Sequence, residues 1–275
     1  TENDYDGDGR TDFVVFRPSE SQWYILRTLD FTVIQTVFGT SGDVITPADF
    51  DGDSKTDISI FRPSTGTWWY QSSVDNVQRA LQWGASGDLP RPSDFDGDGK
   101  ADFVIYRPSE TRWYRYGSLG QTAVNQFGAA GDKPLIADFD GDGKSDLAIY
   151  RPATGDWWWQ SSVDNVQRAV HWGISTDLPT PADYDGDGKT DLAVFRPSEG
   201  GWYIDYSSNQ TIITTAFGLN GDKPIPGDYD GDGRSDIAVY RPTEGIWYLM
   251  QSTSGFGGVQ WGNSTDTPIP NAFIQ

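Results

Sequence analysis

"DYDGDGRTD" occupies Asp4–Asp12 and packs four aspartates and two glycines into nine residues. Such a cluster repels itself unless something offsets its charge. The stretch returns as DFDGDSKTD from Asp49, DFDGDGKAD from Asp94, DFDGDGKSD from Asp138, DYDGDGKTD from Asp183 and DYDGDGRSD from Asp228. The six starts lie 45, 45, 44, 45 and 45 residues apart. A fixed period of this size predicts a propeller or a solenoid.

Other features keep the same register. An Arg-Pro pair recurs at Arg17, Arg62, Arg107, Arg151, Arg196 and Arg241, followed by Trp23, Trp68, Trp113, Trp157, Trp202 and Trp247. An aromatic-Gly pair begins at Phe38, Trp83, Phe127, Trp172, Phe217 and Trp261, and an aspartate follows at Asp43, Asp88, Asp132, Asp177, Asp222 and Asp266. In the third repeat DFVIYRP (Asp102–Pro108), TRWYRY (Thr111–Tyr116), TAVNQFG (Thr122–Gly128) and KPLIADF (Lys133–Phe139) each read as a strand. No segment has an apolar period of 3.6 residues. Four antiparallel strands per roughly 40–50 residues make a propeller blade. Phe103–Tyr106 is apolar on both alternating faces, which suits a sheet covered on both sides. The fold class is therefore all-β: a six-bladed propeller of four-stranded antiparallel blades, one domain over residues 1–275.

The ends look complementary. The first loop lacks the proline-flanked strand that precedes the others, and the tail DTPIPNAFIQ supplies such a strand with Ala272 in place of a loop's first aspartate. The tail is expected to dock on the first blade and close the ring. A double-blade period is superimposed. QSSVDNVQRA begins at Gln71 and Gln160, and the even repeats end in Trp-Gly where the odd ones end in Phe-Gly.

The net charge of −20 disfavours nucleic acid and anionic membranes as partners. Cysteine is absent, so thiol chemistry and disulfides play no part, and no apolar run is long enough to insert in a membrane. No leader segment is visible, so the expectation is a mature form or an excised domain, and a monomer.

Aspartates at positions 1, 3 and 5 of a glycine-containing loop, with the carbonyl of position 7, open an EF-hand-like calcium loop. An EF-hand then needs Glu at position 12. Here that position is Val15, Ile60, Ile105, Ile149, Val194 or Val239 in a strand, and the fourth carboxylate comes at position 9 instead. The candidate ligand sets are Asp4, Asp6, Asp8, Arg10 and Asp12; Asp49, Asp51, Asp53, Lys55 and Asp57; Asp94, Asp96, Asp98, Lys100 and Asp102; Asp138, Asp140, Asp142, Lys144 and Asp146; Asp183, Asp185, Asp187, Lys189 and Asp191; Asp228, Asp230, Asp232, Arg234 and Asp236. The arginines and lysines enter through their carbonyls. Oxygen-only ligands on a flexible loop favour Ca²⁺ over softer metals and over Mg²⁺. About six Ca²⁺ ions, one per repeat, would bring the charge of −20 to about −8. Ser54 stands where the other loops have glycine, so the second loop is expected to be slightly strained.

With loops and blades in place, ADYDGDGKTDLAVFRPSEGGWY (Ala182–Tyr203) resembles the bacterial FG-GAP or VCBS-type repeat and is similar to the calcium-binding blades of integrin α-subunits. The resemblance covers essentially the whole chain. It implies calcium in the loop between a blade's first two strands, on an extracellular or cell-surface protein. Integrin propellers have seven blades, whereas six repeats are present here. The family also spans adhesins, lectins and polysaccharide-active enzymes, so fold leaves function open.

Catalysis finds little support. The single histidine, His171, replaces Gln82 of the second repeat and reads as a surface substitution. One active site would require residues that break the repeat symmetry, and no cluster of non-repeating Asp, Glu, Lys or Tyr stands out. The six repeated arginines match the six repeated Asp residues after the aromatic-Gly pairs and are expected to tie blades together. Exposed aromatics stack on sugar rings, which makes Trp69, Tyr70, Trp158 and Trp159 in the WWY and WWW runs the glycan candidates. The leading expectation is a non-enzymatic calcium-stabilised scaffold for a protein or glycan ligand at a cell surface. The alternatives are a lectin and, third, a domain of a polysaccharide-active enzyme.

Overall fold

The structure, a computed structural model, describes residues 3–269; Ala272 and the rest of the tail lie outside them. In the first sheet, β1 (Phe13–Arg17) pairs with β2 (Gln22–Leu26) and β2 with β3 (Val33–Val37). The second sheet holds β4 (Val44–Ile45), β5 (Ile58–Arg62), β6 (Thr67–Gln71) and β7 (Gln78–Gln82). The third holds β8 (Leu89–Pro90), β9 (Phe103–Arg107), β10 (Arg112–Tyr116) and β11 (Thr122–Gln126). The fourth holds β12 (Lys133–Ala137), β13 (Asp146–Arg151), β14 (Asp156–Gln160) and β15 (Gln167–His171). The fifth holds β16 (Leu178–Pro179), β17 (Leu192–Arg196), β18 (Gly201–Asp205) and β19 (Ile212–Ala216). The sixth holds β20 (Lys223–Pro224), β21 (Ile237–Arg241), β22 (Ile246–Gln251) and β23 (Gly255–Gln260). Finally β24 (Thr267–Ile269) returns to pair antiparallel with β1, Ile269 opposite Val14 and Thr267 opposite Phe16. The chain is an all-β, six-bladed β-propeller, and its C-terminal strand completes the first blade.

Sequence repeat and blade are out of phase. The strand KPLIA closes the third sequence repeat, yet as β12 it is the first strand of the fourth sheet. Each acidic loop thus joins a blade's first strand to its second. In the first blade this first strand comes from both ends of the described chain. Pairing with β1 is supplied by β24, and the Asn3 carbonyl accepts the Asp12 amide at 2.9 Å, the bond Ala48 makes to Asp57 in the second blade.

The blades group into two compact units, residues 3–37 with 172–269, and residues 38–171. Within each unit the cores lie between successive blades. In the first, Phe13 and Val15 pack with Ile225, Tyr240 and Trp247. In the second, Tyr106 and Trp113 pack with Leu147 and Ile149. The expected covering of both faces holds, since Phe103–Tyr106 is buried at every residue. The six repeated tryptophans are 0–1 % exposed, and each packs tilted or edge-on against an aromatic of the neighbouring strand, as Tyr106 does on Trp113 at 5.1 Å. Burying an aromatic of this size removes roughly 150–250 Å² from water, which makes the tryptophans the main apolar anchors of the blades.

The repeated arginines make the expected pairs. Arg17–Asp266, Arg62–Asp43, Arg107–Asp88, Arg151–Asp132, Arg196–Asp177 and Arg241–Asp222 are all bidentate, Nε to Oδ1 at 2.7–2.9 Å and Nη2 to Oδ2 at 2.8–3.0 Å. Each aspartate also accepts the amide three residues before it, as Asp88 does from Ala85 at 2.7 Å. The segment arriving from the preceding outer strand is thereby clamped to its blade. Among the described residues no helix is long and apolar enough to cross a membrane.

Candidate metal centre

The six acidic loops share one hydrogen-bond scaffold. The position 1 aspartate curls the loop around itself, its Oδ1 accepting the position 4 amide at 2.6–2.7 Å and its Oδ2 the position 6 amide at 2.8–2.9 Å. The position 5 aspartate accepts the position 7 amide at 2.8–3.0 Å. This curl needs positive φ at positions 4 and 6. Ser54, at φ 67°, holds a conformation that glycine holds in the other loops, which is the strain anticipated for the second loop.

Position 9 has a second task. Asp12, Asp57, Asp102, Asp146, Asp191 and Asp236 are buried, and both oxygens of each accept amides. Oδ2 takes the loop's own position 2 amide at 2.8–3.1 Å. Oδ1 takes the amide of Thr28, Ser73, Ser118, Ser162, Ser207 or Ser252, in the hairpin that follows, at 2.7–3.0 Å. These aspartates bolt the loop to that hairpin. Burial pushes their carboxyls up, to about 7 for Asp12 and about 6 for the other five, even though the amides pull the other way.

Carboxylate oxygens of Asp4, Asp6 and Asp8 lie within 4.8 Å of one another, as do those of Asp49, Asp51 and Asp53. In Asp94, Asp96 and Asp102, in Asp138, Asp140 and Asp146, and in Asp183, Asp185 and Asp191, position 9 joins positions 1 and 3 in such a group. Position 3 separates the loops into two kinds. In the odd loops Asp6, Asp96 and Asp185 accept the position 5 amide through Oδ1 at 3.2–3.3 Å. In the even loops Asp51, Asp140 and Asp230 hold the same oxygen buried with no hydrogen-bond partner among the described residues. The other oxygen is held from the hairpin, by the Ser72 hydroxyl on Asp51, the Ser161 hydroxyl on Asp140 and the Thr253 and Ser254 amides on Asp230. The first loop differs again: Arg27 Nε lies 3.6 Å from Asp6 Oδ2, and the buried oxygen without a partner is Asp8 Oδ2.

Loops are also linked to one another within each unit. The position 8 amide of one loop donates to the position 1 carbonyl of the loop before it: Thr11 to Asp228, Ala101 to Asp49, Ser145 to Asp94 and Ser235 to Asp183, at 2.6–2.8 Å. The position 7 side chain follows the same path. Lys100 lies so close over Gly52 that a Cβ there would stand 2.9 Å from its Cε, and Lys144, Arg234 and Arg10 lie likewise over Gly97, Gly186 and Gly231. In these pairs the position 7 side chain of one loop covers the position 4 glycine of the loop before it.

The aromatic candidates divide according to strand alternation. Tyr70 and Trp159 pack on the loop aromatics Phe50 and Phe139, each at 5.0 Å. Trp69 and Trp158 lie under Arg62 and Arg151 at 5.9 and 5.6 Å. In the other four blades this place belongs to a tyrosine, 4.3–4.5 Å from its arginine, with its hydroxyl donating to Glu20, Glu110, Glu199 or Glu244. Trp158 lacks that latch and lines a cleft of about 280 Å³ with Gln126, Phe127, Gly128, Ile149, Arg151 and Gln167. Its Nε1 is buried without a partner among the described residues. His171 is 70 % exposed and sits 2.9 Å from Asp156 Oδ1, a surface pair.

The hairpin residues that hold positions 3 and 9 escaped the sequence reading, although a hydroxyl residue recurs sixteen positions after every position 9 aspartate. The comparisons agree with this architecture. A streptogramin B lyase shares the fold at TM-score 0.59 and 10 % identity, covering 92 % of this chain and 84 % of that one. A virginiamycin B lyase from Staphylococcus aureus does so at 0.57 and 8 % identity, covering 95 % and 88 %. An Agrocybe aegerita lectin that recognises non-reducing terminal N-acetylglucosamine does so at 0.57 and 16 % identity, covering 90 % and 76 %. None of the curated proteins compared matches the chain. FG-GAP-like repeats match at residues 4–78, 94–149, 138–194 and 183–239, and with most of the sequence so covered the chain belongs to the FG-GAP-like repeat family.

Proposed function

We propose that the protein is a non-catalytic, extracellular or cell-surface propeller whose acidic loops each take one Ca²⁺, about six in all, and whose blades form an adhesion or ligand-binding scaffold. The observation that carries the metal reading is the set of carboxylate oxygens at Asp8, Asp51, Asp140 and Asp230, buried and without a donor. A buried anionic oxygen with no partner is costly, and a cation in the loop would relieve it. The donor set fits a hard cation. Every candidate is oxygen, and carboxylate oxygens that already accept one amide keep a lone pair for coordination. When bound, Ca²⁺ would supply the charge that lets three or four carboxylates share one loop. The protein's own residues do the positioning: the position 1 aspartate sets the curl and the position 9 aspartate fixes it to the hairpin. Millimolar extracellular calcium suits modest sites of this kind.

Melting in calcium and in EDTA tests the reading, with a drop of more than about 10 °C expected on chelation. Unchanged melting would remove it. A second reading, a glycan-binding function, is favoured by the cleft at Trp158, whose unpartnered Nε1 and Gln167 side chain suit sugar hydroxyls. The fold shared with a lectin agrees with it. A glycan array on wild type and Trp158→Ala tests this reading, and equal signals from the two would discard it.

A further inference from the structure

One charged side chain breaks the six-fold pattern at the inner edge of the blades. Arg91 follows β8, three residues before the third loop. Its counterparts are Thr46, Leu135, Thr180, Ile225 and Ile269, all neutral and all buried. Arg91 is itself only 6 % exposed. Its Nε donates to the Pro134 carbonyl at 3.0 Å, in the first strand of the next blade, and its Nη1 to the Pro90 carbonyl at 2.7 Å.

No carboxylate among the described residues pairs with it, in a chain where the six repeated arginines each hold one bidentately. Burial lowers the guanidinium to about 10, with no neighbouring charge opposing that shift. A guanidinium has five N–H donors. Among the described residues two are engaged, so the Nη2 pair and one Nη1 hydrogen remain.

We propose that Arg91, held by the Pro90 and Pro134 carbonyls, is the recognition group of a binding site for a small carboxylate at the inner edge of the third and fourth blades. The free end of the guanidinium is a planar fork of N–H groups. That fork matches the two coplanar oxygens of a carboxylate and leaves a spherical halide with half the contact. One positive charge also balances one negative charge. With a net charge of −20 on the chain, a doubly charged anion would meet more repulsion than a singly charged one. The site does not depend on the acidic loops holding metal, because its contacts are to inner-strand carbonyls.

The test uses the full chain with calcium held constant. Melting temperature and isothermal titration are followed against sodium acetate, with sodium chloride and sodium sulfate at matched ionic strength. Acetate should stabilise the wild type saturably and more than chloride or sulfate. Arg91→Leu, which installs the residue of the fourth repeat, should lose the saturable response, weakening apparent binding at least about tenfold. Arg91→Gln serves the same comparison if the leucine variant does not fold. An acetate response equal to that of chloride, or one that survives both substitutions, would overturn the assignment and leave Arg91 as a strap between two carbonyls.

Discussion

The second and third acidic loops differ by one hydrogen bond at the same atom. Asp96 Oδ1 accepts the Asp98 amide at 3.3 Å, whereas Asp51 Oδ1 is buried with no donor. The contrast recurs around the chain, odd loops resembling the third and even loops the second. It follows the alternation of Phe-Gly and Trp-Gly repeat ends, so a double-blade repeat carries two kinds of loop. An identical string of aspartates therefore does not make identical sites. The hairpin behind the loop holds the other oxygen of position 3 in both kinds, through Ser72 on Asp51 and through Gln121 on Asp96, so the kinds differ in whether the loop's own position 5 amide turns to position 3. Under the calcium reading, the even loops are the tighter sites. The first loop, where Arg27 already stands beside Asp6, is the weakest.

The largest effect should come from position 9, which both kinds of loop use alike. Asp146→Ala strips the acceptor from two amides and should cost about 3 kcal/mol or more in urea unfolding. A loss is expected in EDTA and a larger one in calcium, where a ligand goes as well; a loss confined to calcium would make Asp146 a ligand and nothing else. Position 3 should separate the classes. In calcium, Asp140→Ala should cost about 2 kcal/mol and Asp96→Ala about half that, with both differences collapsing in EDTA. Equal costs would erase the distinction between loops. Arg27→Ser copies Ser72 into the first blade, and should tighten the weakest calcium step by about three- to tenfold in titration. No change there would show that Arg27 does not compete with the ion. The smallest effect belongs to Ser54→Gly, which relieves φ 67° and should stabilise by about 0.5–1 kcal/mol in both conditions.

Much of this was legible because the signals repeat. The 45-residue spacing located every strand of the third repeat to within two residues, and equal numbers of Arg and Asp foretold the six clamps. The closing strand was readable from TPI at Thr267–Ile269, whereas the expectation placed on Ala272 falls outside the described residues. What stayed hidden depends on packing between distant segments. The spacing of Asp102 fits a ligand, but its bond to the Ser118 amide exists only once the hairpin folds back. Trp158 and Trp159 are alike in the sequence, yet strand alternation sends one to a cleft and the other onto Phe139. Arg91 lies in the proline-flanked strand that precedes the third loop, and nothing in the sequence signals that its charge is buried.

Calcium titration of the EDTA-stripped chain, read by calorimetry alongside the metal content of dialysed protein, decides whether the acidic loops hold calcium in two classes. Binding is expected in two phases, about three ions on the even loops and then weaker steps toward a total of about six, with the melting temperature rising through the first phase. Protein that retains no calcium, releases no heat on titration and melts at one temperature with and without EDTA would contradict it.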